Sequence, residues 1–156
     1  MMDKPILCLD FDGVIHRYSK GWQDGTIYDP ITNGFSDWAI EATKLFKLVV
    51  YSSRSKTPEG IREMMNWFKD QLSWMHCTDD GLDKDDEIYM RFLEAATASV
   101  LVLYFAHEKP PAFLTIDDRC IRFTGVWGTM LEPEHLRQFK PWIMEDNNAE
   151  RIESTE

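Results

Sequence analysis

Three short apolar runs in this chain each stop abruptly at polar or charged residues, and that pattern restricts the fold more than any other feature. Pro5-Ile-Leu-Cys-Leu9 meets Asp10-Phe-Asp-Gly13, Leu48-Val-Val-Tyr51 meets Ser52-Ser-Arg54, and Ala112-Phe-Leu-Thr-Ile116 meets Asp117-Asp118. Val100-Leu-Val-Leu-Tyr-Phe105 is a fourth run of the same kind. Short unbroken apolar runs suit strands buried on both faces, as in parallel sheets. The stretches between them carry helical spacing. Phe35 to Phe46 places Trp38, Ala42, Leu45 and Phe46 on one face. Thr57-Pro-Glu-Gly60 starts a second helix, with proline at an early position and Ile61, Met64, Met65 and Phe68 as its apolar stripe. Ile88 to Ala98 reads as a third. Strands alternating with helices predict an α/β fold, a Rossmann-like three-layer sandwich around a mainly parallel sheet. Ligands bind beyond the carboxyl ends of such strands, so three polar strand ends predict one site.

His16 to Asn33 has little periodicity and reads as a loop or a small flap hairpin over Tyr18 to Tyr28; Thr78 to Glu87 reads as an acidic loop. The flap and helix consume the roughly 40 residues between the first two polar ends, which leaves no room for a large cap domain. At 156 residues the chain fits a single domain, expected over 1–143, with 144–156 an acidic, flexible tail. No apolar run approaches the roughly 18 residues of a membrane span. The N-terminus shows no secretory signal, and three cysteines without metal-type spacing fit a reduced compartment. A cytoplasmic protein is the expectation. The net charge of -10 comes with no basic stripe, so extended nucleic-acid binding is not expected.

Asp10 and Asp12 leave an extended strand two residues apart, which puts both on one side with Phe11 turned toward the core. Gly13 then permits a turn closed to other residues. Two carboxylates held close repel unless a proton or cation lies between them, and a hard divalent cation prefers oxygen ligands. A solvated Asp-Gly turn accounts for Asp10 to Gly13 equally well, and a helix N-cap accounts for Asp117-Asp118. Two acidic pairs at strand ends in one α/β chain favour a metal site. Arg54 and Arg119 can each fork onto a phosphate or pair with a nearby carboxylate. His16 is a loop contact or a catalytic group. The Trp and Met stripes read as core, except Trp22, which in a polar flap suits stacking on a base or sugar.

Leu9-Asp-Phe-Asp-Gly-Val14 resembles the first motif of the haloacid dehalogenase (HAD) superfamily, Val49-Val-Tyr-Ser52 its second, and Ile116-Asp-Asp118 its fourth. The stretch KPPAFLTIDDRCIRFTG from Lys109 to Gly125 and the later Phe139-Lys-Pro-Trp142 are similar to small phage and bacterial HAD-type hydrolases. The resemblance implies a HAD-like fold with a minimal cap and a Mg²⁺-dependent phosphatase. Asp10 would be the nucleophile, Asp12 the acid and base with its carbonyl on the metal, and Ser52 a donor to the phosphoryl group. Lys109 would stabilise phosphate charge, and Asp118 and Asp117 would join Asp10 and Asp12 as metal ligands. Lys84, in Asp83-Lys-Asp-Asp86, instead matches the pattern of polynucleotide 3'-phosphatases, and Lys109 is preferred. The fourth motif lacks the further acid it often carries. Ser53, Arg54, Arg119 and Trp22 are the expected substrate contacts, toward a phosphorylated small molecule, a nucleotide or a nucleic-acid 3'-phosphate end. A non-catalytic metal- and phosphate-binding protein of the same fold is the alternative.

Overall fold

In the computed structural model the described residues are 3–79, 101–128 and 131–143. The chain groups into two compact units, Met1–Ile116 and Asp117–Glu156. The first holds a five-stranded, all-parallel sheet of β1 (Ile6–Leu9), β2 (Lys47–Val50), β3 (His76–Asp79), β4 (Val102–Phe105) and β5 (Leu114–Ile116), in the spatial order β3-β4-β2-β1-β5. Two helices, α1 (Phe35–Ala42) and α2 (Pro58–Gln71), lie in the same unit. This is an α/β fold compatible with a Rossmann-like sandwich.

Hydrophobicity sorts the strands by position. The most apolar segments, Leu48-Val-Val50 and Val102-Leu-Tyr-Phe105, are wholly buried and form neighbouring inner strands. On one face Leu7, Leu9, Leu48, Val50, Leu103 and Phe105 pack with residues of both helices; on the other Val49, Val102, Tyr104 and Ala106 form a second cluster. Alternate residues of a strand point to opposite faces, which produces the two sets. The edge strands are more polar or more open. His76-Cys-Thr-Asp79 is β3, whose last two residues fall in the stretch that reads as an acidic loop, and it is selected by backbone pairing with β4 rather than by apolar side chains.

The helix at Thr57 forms as its sequence suggests. Thr57 is its N-cap and accepts the Gly60 N–H at 3.1 Å, Pro58 opens it, and Ile61, Met64, Trp67 and Phe68 are buried, with Met65 partly so. The first helix departs from expectation. It ends at Ala42 and buries Phe35, Ala39 and Ala42, which leaves Trp38 at 40% and Leu45 at 67% exposure. The i, i+4, i+7 set is the one that meets the sheet, and Leu45 lies beyond the last helical turn. Trp38, Trp74, Trp127 and Trp142 are exposed, so the Trp residues are not uniformly core.

The segment Tyr18 to Tyr28 is a loop without strands. It is closed by side chains: the Tyr28 hydroxyl accepts the Lys20 N–H and donates to the Gly21 carbonyl, and Asp29 accepts the Ser19 N–H at 2.6 Å. In the second unit α3 (Pro133–Arg137) begins at a proline, and the Phe123 and Trp127 rings lie 5.2 Å apart. The expected helix over Ile88 to Ala98, the rest of the acidic loop and the tail over 144–156 lie outside the described residues. No helix among the described residues is long and apolar enough to cross a membrane.

Candidate functional site

The sheet fixes the site before any side chain is considered. β2 lies on one side of β1 and β5 on the other, so the strand order reverses about β1, the position where parallel α/β sheets bind ligands at their carboxyl ends. Leu9 pairs with Ile116, and the Asp10 N–H donates to the Ile116 carbonyl at 3.0 Å. Asp10 and Asp117 are the residues that follow, so register and chain connectivity bring them to the same end of adjacent strands, and Asp118 comes with Asp117. Asp10, just after β1, and Asp117 and Asp118, just after β5, are carboxylates of a kind able to hold a metal ion. An all-oxygen, all-carboxylate donor set suits a hard cation such as Mg²⁺. Beyond β5, Asp117 accepts the Arg119 N–H at 2.8 Å, and the Arg119 Nε stands 3.9 Å from Asp118. Arg119 thus pairs with a neighbouring carboxylate.

Between Asp10 and Asp12, Phe11 is wholly buried and packs edge-on against Trp67, as strand alternation predicts. Gly13 has φ 86, and the Phe11 carbonyl accepts the N–H groups of Val14, Ile15 and His16 in a tight reversal. That reversal brings His16 back over Asp12. His16 is 0% exposed; its Nε2 accepts the Asp29 backbone N–H at 3.0 Å, which leaves the ring proton on Nδ1 to donate to Asp12 Oδ1 at 2.8 Å.

Asp12 is charge-compensated within the protein. Arg54 donates from Nε to Asp12 Oδ2 at 2.7 Å and from Nη2 to Oδ1 at 3.2 Å. Burial alone would raise the Asp12 pKa, but the hydrogen bonds from His16 and Arg54 and the guanidinium charge outweigh it and hold the carboxyl below its ordinary value. Arg54 and His16 thus balance the Asp12 carboxylate from within the protein. Of the two readings of Arg54, the structure shows pairing with a carboxylate.

Ser52 and Arg54 owe their positions to the turn after β2. The Ser52 Oγ accepts the Arg54 N–H at 3.3 Å and the Ser55 Oγ accepts the Ser52 N–H at 3.1 Å, closing a capping box over the short 3-10 turn Ser53–Lys56. Ser52 is buried and Ser53 exposed. With its oxygen accepting, the Ser52 hydroxyl retains its proton as a donor. Trp22 is 65% exposed, and the Arg54 guanidinium carbon lies 5.7 Å from its ring. Lys109 is exposed, four residues beyond the end of β4; Lys84 lies outside the described residues.

Sequence reasoning left the role of His16 open and missed the pair of Asp79, the last residue of β3, with His107 (2.6 Å), just beyond β4. The spacing Asp12-x-x-x-His16 across a glycine was the available signal for the first. Two clefts flank the flap region. One, of about 270 Å³, is lined by Leu9, Val14, Phe35, Trp38 and Ile116; the other, of about 480 Å³, by Asp24, Glu63, Asp70, Asn66 and Trp67. No family model, no curated protein and no solved structure matches this chain.

Proposed function

We propose that this chain is a Mg²⁺-dependent phosphomonoesterase of the HAD type, with Asp10 as its nucleophile. The observation that carries the reading is the delivery of Asp10, Asp117 and Asp118 to the carboxyl ends of adjacent parallel strands where the strand order reverses, with Ser52 leaving the next strand. The motif resemblance runs through those same residues. Three carboxylates gathered there would repel a phosphate ester; Mg²⁺ held by Asp10, Asp117 and Asp118 would neutralise it.

The residues then divide the work. An Asp10 oxygen attacks phosphorus, the ester P–O bond breaks, and the leaving alcohol takes a proton; water afterwards cleaves the aspartyl-phosphate and regenerates Asp10. Asp12, held ionised by Arg54 and His16, is the base that takes a proton from the attacking water, while the leaving oxygen takes its proton from solvent; the Ser52 hydroxyl and Lys109 bind phosphoryl oxygens. Trp22, exposed on the flap, offers a stacking face, and the apolar cleft beside Leu9 suits an aromatic or aliphatic group. Both favour a nucleotide or a short nucleic-acid 3'-phosphate end as substrate. The acidic cleft lined by Asp24, Glu63 and Asp70 disfavours a long polyanion.

One observation favours the second reading, a metal- and phosphate-binding protein without turnover: both Asp12 oxygens are already engaged by Arg54 and His16. A panel of aryl, nucleotide and oligonucleotide 3'-phosphates with purified protein separates the two. Hydrolysis that needs Mg²⁺, stops with chelator and is absent in Asp10→Asn supports the enzyme. Mg²⁺ binding without hydrolysis of any member supports the binder, and hydrolysis unchanged in excess chelator rejects the metal assignment.

A further inference from the structure

We propose that Arg54 is a positioning residue that latches the flap to Asp12, so that the geometry of the acid–base carboxylate and the closure of the flap are one event. Its side chain is 6% exposed, and three of its donors already have acceptors in the protein. Nε and Nη2 form a side-on fork to the Asp12 carboxylate, while Nη1 donates to the Gly25 carbonyl at the tip of the flap. The Trp22 ring lies on the same guanidinium at 5.7 Å, and Trp22 in turn packs on Gly25. A planar guanidinium with donors on two edges can serve both partners at once, which an ammonium cannot.

The backbone beneath Arg54 is equally committed. Ser52 caps its N–H, and a Cβ placed on Gly60 would lie 2.0 Å from its carbonyl oxygen, so the first turn of α2 presses directly on this residue. Arg54 therefore has little freedom to swing toward a ligand. The direct phosphate fork expected from its place after Ser52-Ser53 is replaced by an indirect role. It fixes the rotation of Asp12 and holds Trp22 and Gly25 against the same guanidinium. The flap then becomes the element that reports the state of Asp12.

The latch is testable without turnover. Amide hydrogen exchange is measured across 18–29 in metal-free protein for wild type, Arg54→Ala, Arg54→Lys, Asp12→Asn and the Arg54→Ala/Asp12→Asn double variant, with amides of β1 and β2 as the folding control. Loss of a charged hydrogen bond corresponds to about 10-fold faster opening or more. The expected result is such an acceleration at Thr26 and Gly21 in Arg54→Ala and in Arg54→Lys, with the strand amides unchanged. Asp12→Asn does not touch the flap tip, yet it is expected to loosen it, and to add less than its own single effect in the Arg54→Ala background. Unchanged flap exchange in Arg54→Ala, or fully additive effects in the double variant, overturns the latch. A kinetic arm rests on the phosphatase reading: with an aryl phosphate, Arg54→Lys is expected to lower kcat with KM little changed. A rise in KM at constant kcat, with the flap still protected, would instead make Arg54 a phosphate ligand. If wild type shows no turnover, the proposed function fails and the exchange result still decides the latch.

Discussion

Gly60 shows how one atom decides a site. Glycine in a helix is ordinarily less stable than alanine by roughly 0.5–1 kcal/mol, so Gly60→Ala in α2 should help. Here the added Cβ would lie 2.0 Å from the Arg54 carbonyl oxygen, a backbone atom that cannot rotate away. The expected outcome is a loss of about 1–3 kcal/mol, the scale of overpacking, read from the denaturant midpoint. Asp12 supplies the second test at this scale. Its folded pKa is depressed, so its contribution to stability is full above the ordinary carboxylate value of 3.8 and is lost as pH falls through that value toward the folded one. In metal-free buffer, Asp12→Asn should be less stable than wild type at pH 7, and the gap should close as the pH is lowered toward the acid limb. A gap that stays constant with pH would mean that the Arg54 and His16 bonds do not favour the ionised form of Asp12 in the folded state.

Among the elements, α2 anchors the core and α1 only half covers it. Phe68 is wholly buried against Phe11, Phe35 and Phe105, whereas Trp38 on α1 is 40% exposed. Phe68→Ala should cost about 3–5 kcal/mol as a core cavity, and Trp38→Ala clearly less, compared by denaturant unfolding. The strands at Leu7, Leu48 and Val102 were legible because continuous apolar runs need burial on both faces, and α2 was legible from its cap and stripe. The run at Leu114 pairs as an edge strand, but its residues are exposed, contrary to the burial its apolar run suggests. The strand His76–Asp79 was not, because an edge strand paired through its backbone needs no apolar pattern. The face of α1 was misplaced because periodicity marks an apolar side without saying where the helix stops. At the site, the strand ends of Asp10, Ser52 and Asp117 could be read from sequence. The Arg54–Asp12–His16 arrangement could not, since it joins residues 42 positions apart through a loop without periodicity.

For the whole molecule, topology and charge point the same way. A parallel sheet whose order reverses about β1 has Asp10 and Asp117 at the carboxyl ends of adjacent strands, and the chain as a whole carries a net charge of -10. A short or mononucleotide phosphate should therefore be turned over faster than a long strand at low salt; a preference that grows with strand length and collapses as salt rises would reveal a basic track and contradict this. The central claim is chemical, that Asp10 forms a covalent bond to phosphorus. Its most direct test is acid quenching during turnover of an aryl phosphate with Mg²⁺, followed by peptide mass spectrometry. The account predicts a phosphoryl group on the peptide containing Asp10, absent in Asp10→Asn and absent when chelator is added first. Steady turnover with no phosphoryl group on that peptide at any quench time would contradict it.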